Sequence, residues 1–452
     1  MTQTTTRRTN RIVLLTAASL LAVLAMPARS VAQTAASLSE TQNLRYTITD
    51  LGIVGGPPGQ PFHISSNGLI SGSSASAEGT EQAWLWFRGF KLNIGTPGLG
   101  GKNSVPFGVN QWGQAAGEAD TSTPDPAGED YCGFAFMGYP SGTTCLPMVW
   151  QNGVMTALPL LQDKTGKRGN NGTANGINAW GEAAGVSENT TADTTCPAND
   201  PLLGQNQYFQ QKPVVWQDGH VQELPTVGGD PDGTALAIND LGHSAGTSGV
   251  CSAFNNVDFF NIQPVYAVLW ENGRAIDLGS LGGVTNNLAL AINNNDDVVG
   301  SSDLGGDITF HGFLWTKETG KMHDLAPING DVYSVGLAVS NAGEITGVSL
   351  DADFTPRAVI WRQGVPTDLN TLIPSSSSLY LMTGCSVNDS GQIIGLAVDR
   401  SGNYHGYLAI PGWDEGDWDS QSSGSVHPSE SGREQLRRQM RFDRFVPRPP
   451  VP

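Results

Sequence analysis

The stretch Tyr266–Gly279, YAVLWENGRAIDLG, reads as two short apolar strands joined by Asn272-Gly273. Asn-Gly tolerates the positive φ that a two-residue type I′ turn imposes, so the segment predicts a β-hairpin. The same hairpin returns as MVWQNGVMTALP from Met148, PVVWQDGHVQELP from Pro213, GFLWTKETGKMHDL from Gly312 and AVIWRQGVPTDL from Ala358. One unit written this often marks a repeat architecture, which overrides the two or three domains that 452 residues would ordinarily suggest.

Before each Trp hairpin lies a second pattern, clearest as ALAINDLGHSAGTS (Ala235–Ser248) and ALAINNNDDVVGSS (Ala289–Ser302). Further copies start at Ile64, Val109, Ile177, Val339 and Val387. Aligning the last glycine of each gives Gly72, Gly117, Gly185, Gly246, Gly300, Gly347 and Gly395, seven copies spaced by about 45 to 68 residues. Each unit parses into an inner apolar strand, an Asn-rich turn, a second strand and the Trp hairpin. Four antiparallel strands repeated seven times predict an all-β, seven-bladed β-propeller over 33–412. The chain ends favour a closed ring over an open solenoid. RYTITDLG (Arg45–Gly52) matches a fourth strand with no first three, and YHGYLAIPG (Tyr404–Gly412) is a third strand with no fourth. The N-terminal strand is therefore expected to complete the last blade, which removes an exposed sheet edge.

The segment His311-Gly312-Phe313-Leu314-Trp315, followed by Asp324-Leu325, resembles the bacterial HAF-repeat proteins, an extracellular repeat family named for a His-Ala-Phe motif. AWLW, AVLW and AVIW elsewhere are degenerate versions, and the resemblance covers most of 45–412. It implies an exported repeat protein and brings no catalytic residue to carry over.

Arg7, Arg8 and Arg11, the apolar run Ile12–Met26 and the small residues Ser30-Val31-Ala32 predict a cleaved signal peptide over 1–32. Thr9 and Asn10 follow the arginine pair where the twin-arginine route wants an apolar residue, which favours the ordinary secretory route. No second apolar run is long enough to span a bilayer, so a secreted product, extracellular or periplasmic, without a membrane span is expected. A net charge of −18 excludes nucleic acid as the natural partner. The repeat stops at Gly412, and the segment 413–452, ending in the Arg-rich REQLRRQMRFDRFVPRPPVP, reads as a disordered appendage.

Trp86, Trp150, Trp216, Trp270, Trp315 and Trp361 share one repeat position, which predicts packing between blades. Asp277, Asp324 and Asp368, each before a leucine, are expected to cap turns or bond backbone. The Asn239-Asp240, Asn293–Asp296, Asn388-Asp389 and Asp230–Gly233 turns lack the alternating ligands and closing Glu of a calcium loop, so turn chemistry accounts for them. The seven histidines never fall in a metal-ligand spacing, and no nucleophile elbow or phosphate loop appears. No catalytic residue, metal or cofactor is therefore expected.

Departures from the repeat carry the functional reading. Copies two, three and four have enlarged loops before their Trp, and irregular loops on a rigid scaffold are where binding resides. Candidate contacts are Asp130, Tyr131, Phe134 and Phe136 in the first, Tyr208 and Phe209 in the second, and Phe254, Phe259 and Phe260 in the third. Small local cores that hold the loops down are the alternative role for these aromatics. Trp112 and Trp180, in the first turns of copies two and three, form a second candidate surface. Disulfides Cys132–Cys145 and Cys196–Cys251 are expected, with Cys385 a buried thiol aligned with Phe107, Leu236, Leu290 and Leu337. The function expected is a monomeric, non-enzymatic recognition scaffold for an extracellular glycan or protein. The alternatives are an exported hydrolase or lyase with acids at the axial mouth, and a structural cell-envelope component.

Overall fold

Seven antiparallel sheets, one per repeat, stand around a central axis as the blades of a β-propeller. The computed structural model describes residues 44–52, 60–95, 97–126, 128, 131–134, 139, 142–196, 209–251 and 262–413. The leader expected over 1–32 and the tail from residue 414 on lie outside the described residues. Blade four shows the common plan from the axis outward, with strands a (Asp232–Ile238), b (Ser244–Cys251), c (Ile262–Glu271) and d (Arg274–Asp277). The c–d hairpins turn at Asn152-Gly153, Asp218-Gly219 and Asn272-Gly273, whose six φ angles are all positive, as the sequence predicts. Among the described residues no helix is long and apolar enough to cross a membrane.

Blade seven is closed by the chain's N-terminal strand. Leu44–Gly52 pairs antiparallel with Tyr404–Trp413, from Leu44 opposite Trp413 to Gly52 opposite Gly406. Two contacts set this register. Tyr46 is fully buried, and its hydroxyl accepts a 2.9 Å bond from Arg362 Nη2 of blade six. His405 Nδ1 lies 3.0 Å from the Asp50 carboxylate, which reproduces the 2.9 Å pair of His311 with Asp324 in blade five. Asp277 and Asp368 instead accept backbone N–H bonds from Gly279 and Asn370, as expected of turn caps.

The aligned glycine answers to a β-bulge. In blade four the register of strand a slips between Ala235 and Ala237, so Leu236 is the extra residue facing Gly246. A Cβ on Gly246 would sit 2.0 Å from the Thr234 carbonyl oxygen, and on Gly300 of blade five 1.9 Å from that of Leu288, so no side chain fits. Equivalent slips flank Phe62, Phe107, Asn175, Leu290 and Leu337. In blade seven the interruption is longer, leaving Leu379–Leu381 and Ser386–Val387 to pair separately with Ile393–Asp399.

Between blades, the Asn of each a–b turn does two jobs. Asn239 Oδ1 accepts from the backbone N–H groups of Leu241 and His243, while its Nδ2 donates to the Asn293 carbonyl of blade five at 2.9 Å. Asn110, Asn178, Asn293 and Asn388 repeat the inter-blade bond, the last across the closing seam to Ser65. Serine replaces this Asn in blades one and six. There, Asn67 donating to Gln111 and Asn341 donating to Asp389 bridge the junction instead.

The repeated tryptophans pack between blades at four of six positions, with Trp216, Trp270, Trp315 and Trp361 buried. The indole N–H of Trp216 reaches the Pro159 carbonyl, that of Trp270 reaches Pro225, and that of Trp361 reaches Ala326, each on the chain leaving the preceding blade. Trp150 is only half-buried, and in blade one Trp84 is buried where Trp86 was expected. Trp84 lies directly across from Gly72, and that glycine leaves room for its ring.

Candidate functional site

A bulge re-aims a side chain, and here it aims one from each of six blades at the axis, while the interrupted strand of blade seven supplies the seventh. Phe62, Phe107, Leu236, Leu290 and Leu337 form an apolar collar, with Asn175 and Cys385 at the two remaining positions. The next residue in six of seven blades is Gly, Ala or Ser, because the innermost strands crowd together. A Cβ on Gly108 would lie 3.0 Å from Ile177 N, and one on Gly176 would lie 3.3 Å from the Ala237 Cα. Collar and small residues together line a cavity of about 190 Å³. All its lining residues except Leu288 lie at the bulge or between it and the a–b turn, so the cavity occupies the turn-side half of the channel.

His63 is the exception among the small residues. Its Nδ1 hydrogen-bonds the Val109 carbonyl at 3.1 Å, which places the ring proton there and leaves Nε2 as an acceptor. Burial pushes its pKa down to about 4, so the ring is neutral at physiological pH. Cys385 forms no disulfide, as expected, but it is half-buried in the cavity wall rather than fully buried. The extra residues of blade seven's interrupted first strand bring it to the collar, and its Sγ lies 3.1 Å from Thr383 Oγ1.

The enlarged loops leave strand b on the opposite face. Of their candidate contacts, Asp130, Phe136, Tyr208, Phe254, Phe259 and Phe260 lie outside the described residues. Tyr131 and Phe134 are 8% and 0% exposed and, with Tyr139, pack on Phe62, Phe107 and Leu236 of the collar. Both are buried in that cluster, in keeping with the local-core alternative. Phe209 opens strand c of blade three, half-buried, with Lys167 Nζ 5.3 Å from its ring centroid. Cys132–Cys145 and Cys196–Cys251 are both bonded, with Cα separations of 5.6 and 4.8 Å.

Trp112 and Trp180 stand on the turn face, 69% and 75% exposed. Neither indole is loose. Trp112 Nε1 donates to the Ala179 carbonyl of blade three at 3.0 Å, and Trp180 Nε1 to the Asp240 carbonyl of blade four at 2.9 Å. The equivalent Asn67 and Asn295 side chains make the same bond to the next blade with an amide. Tryptophan therefore keeps the junction bond and adds a ring held by its edge. Leu241, at the same position in blade four, is 57% exposed and extends the apolar surface to three adjacent blades.

The buried acids serve the scaffold. Glu118 accepts from Thr173 Oγ1, Asp120 from Asn103, Glu188 from the Asn170 and Asn171 backbone, and Asp232 from Gln211 N. None is among the residues lining the axial cavity. Of these acids sequence reasoning touched only Asp232, as part of the Asp230–Gly233 turn, and it did not single out the bulges or His63.

No protein-family model matches the chain, and no curated protein matches it. Solved structures resemble it at the level of the fold. An acylaminoacyl peptidase from Pyrococcus horikoshii aligns with a TM-score of 0.46 at 10% identity, over 84% of this chain and 54% of that one. The β-propeller domain of the trilobed protease from Pyrococcus furiosus gives 0.44 at 8% identity, over 80% and 99%. An oligogalacturonate lyase from Vibrio parahaemolyticus gives 0.44 at 9% identity, over 81% and 96%. The chain thus spans about half the length of the peptidase, and these similarities extend to propeller architecture alone.

Proposed function

We propose that the chain is an exported, non-enzymatic recognition scaffold that binds an extracellular glycan on its turn face. The observation that carries this reading is the pair of indoles at Trp112 and Trp180, exposed on their faces and fixed at their edges by bonds to the next blade. A ring already held in place loses little conformational freedom on binding, and an aromatic face stacks on the apolar C–H face of a sugar. The acidic chain points to neutral or basic sugars rather than polyanions. Two disulfides with ordinary Cα spacing fit an oxidising compartment, in line with the leader-like N-terminus.

The test replaces the rings without breaking the junctions. Trp112→Asn and Trp180→Asn install the residue that blades one and five use there, so the melting temperature stays close to the parent's. Titration of neutral oligosaccharides, followed by tryptophan fluorescence and calorimetry, should show affinity falling about tenfold per ring, the equivalent of about 1.4 kcal/mol. Unchanged affinity in the double variant refutes the platform.

A further inference from the structure

We infer that the axial cavity is a second binding site, which takes a neutral, single-ring apolar molecule bearing one hydrogen-bond donor. Size sets the first limit. A dry apolar void of about 150 Å³ holds benzene and pockets for drug-sized ligands begin near 300 Å³, so a cavity of about 190 Å³ admits one ring with a small substituent. An oligosaccharide or a peptide does not fit, which separates this site from the tryptophan platform.

The collar is backed by apolar clusters. Tyr131, Phe134 and Tyr139 share one with Phe62, Phe107 and Leu236, and a stack of Phe310, Tyr333 and Phe354, with centroids 4.9 and 4.6 Å apart, joins the cluster that holds Leu290 and Leu337. Phe354 holds a φ of +61°, unfavourable for a bulky residue, and packs its ring on Tyr333. On the turn side only Ile and Val side chains, such as Ile177 and Ile238, follow the small residues toward the turns.

Asn175 is the departure that defines the ligand. Five of the seven collar positions are Phe or Leu, yet blade three places an amide there. Its Nδ2 donates to Thr234 Oγ1 at 3.2 Å and to the Ala235 carbonyl at 2.9 Å, which fixes the amide orientation and leaves Oδ1 as the acceptor within the collar, one residue position farther from the turns than that of His63. A carbonyl so placed favours a guest that brings an O–H or N–H donor over one that does not. No Asp, Glu, Lys or Arg lines the cavity, so a charged guest would lose its hydration without a partner.

Cys385, the one cysteine outside the two disulfides, is a reporter already in the wall. Phenol, benzene and benzoate are titrated against the full chain, following the rate at which methyl methanethiosulfonate methylthiolates Cys385 by intact mass. Phenol should slow the modification at least fivefold and bind at least fivefold tighter than benzene, with benzoate inert. Asn175→Leu should erase the preference for phenol while keeping benzene binding. Leu290→Trp should fill the cavity and abolish protection by both. Melting curves of each variant report whether it folds, and the phenol-over-benzene ratio of the parent stands without them. Absence of protection by both phenol and benzene at millimolar concentration overturns the site. A preference that survives Asn175→Leu overturns the role of the amide. Phenol binding lost in the Trp112→Asn/Trp180→Asn double variant overturns the axial placement, whereas retained phenol binding with glycan binding lost upholds both sites separately.

Discussion

Asp232 holds a proton at neutral pH. Burial, together with the hydrogen bond that its protonated carboxyl donates to the neighbouring Asp193 carboxylate, pushes its pKa up to about 9 from an ordinary 3.8. The folded state keeps the proton that the unfolded chain releases, so this contribution to stability is complete below about pH 4 and is lost progressively as pH rises toward 9. Asp232→Asn mimics the protonated acid, and its melting temperature should exceed the parent's by a margin that widens between pH 5 and pH 9 in thermal scans. His63 works in the opposite sense. Its pKa of about 4 lies below the unfolded 6.5, so stability falls as pH drops from 6.5 toward 4, and His63→Gln should flatten that limb. At this scale the sequence was legible where a residue breaks the repeat. Trp112 and Trp180 stood out because no other copy carries an aromatic residue there, and both are exposed. Tyr131 and Phe134 left two roles open, since counting aromatics in a loop does not tell which way the loop turns. Cys385 was placed at the right collar position, but it falls in the gap between Leu379–Leu381 and Ser386–Val387, a break in strand pairing that leaves no trace in residue type.

The b-strand glycine, the bulge and the a–b turn act together as one element. The hairpin turns at Asn-Gly and Asp-Gly were readable because those residues accept positive φ, whereas Arg88-Gly89 and Gln363-Gly364 turn in the same way without the usual first residue. The bond from each turn to the next blade was not readable. Nothing in an Asn-rich turn distinguishes an amide that serves its own loop from one that also reaches across a junction. That bond makes a prediction at Ser340, one of the two serines in the Asn position. Ser340→Asn should add the missing donor to blade seven and raise stability by about 0.5–1.5 kcal/mol in denaturant titration. A matching loss is expected for Asn239→Ala, of about 1–3 kcal/mol, because the Asn293 carbonyl of the next blade and two turn N–H groups lose their partner. The first enlarged loop also carries part of the core. Replacing 120–146 removes the buried Tyr131 and Phe134 along with a disulfide, so the melting temperature should fall by several degrees.

The ring as a whole was legible because its seam is written at both ends of the repeat region. A fourth strand without a blade and a blade without a fourth strand have one economical solution, and the His405–Asp50 pair reproduces the blade-five pair across that seam. Removing 33–52 should expose the edge of Tyr404–Trp413 and the apolar surface under Tyr46, giving a broad, low melting transition and aggregation on heating. Single substitutions grade the effect. Tyr46→Phe leaves Arg362 bonded to Glu344 alone and should cost about 1 kcal/mol, while Tyr46→Ala empties a fully buried site at about 3–5 kcal/mol. The seam also sets an order of events. Each other blade draws its strands from one short run of chain, but Asp50 and His405 are 355 positions apart, so the first strand to emerge during synthesis is the last to find its neighbour. Until then the seventh blade lacks its outer strand and leaves a vacant slot, and a free peptide spanning Leu44–Gly52 has the register and side chains to occupy it. The propeller is therefore divisible: a strand-deleted body and a nine-residue peptide should reassemble in the test tube, which makes the closure a natural point for a split reporter.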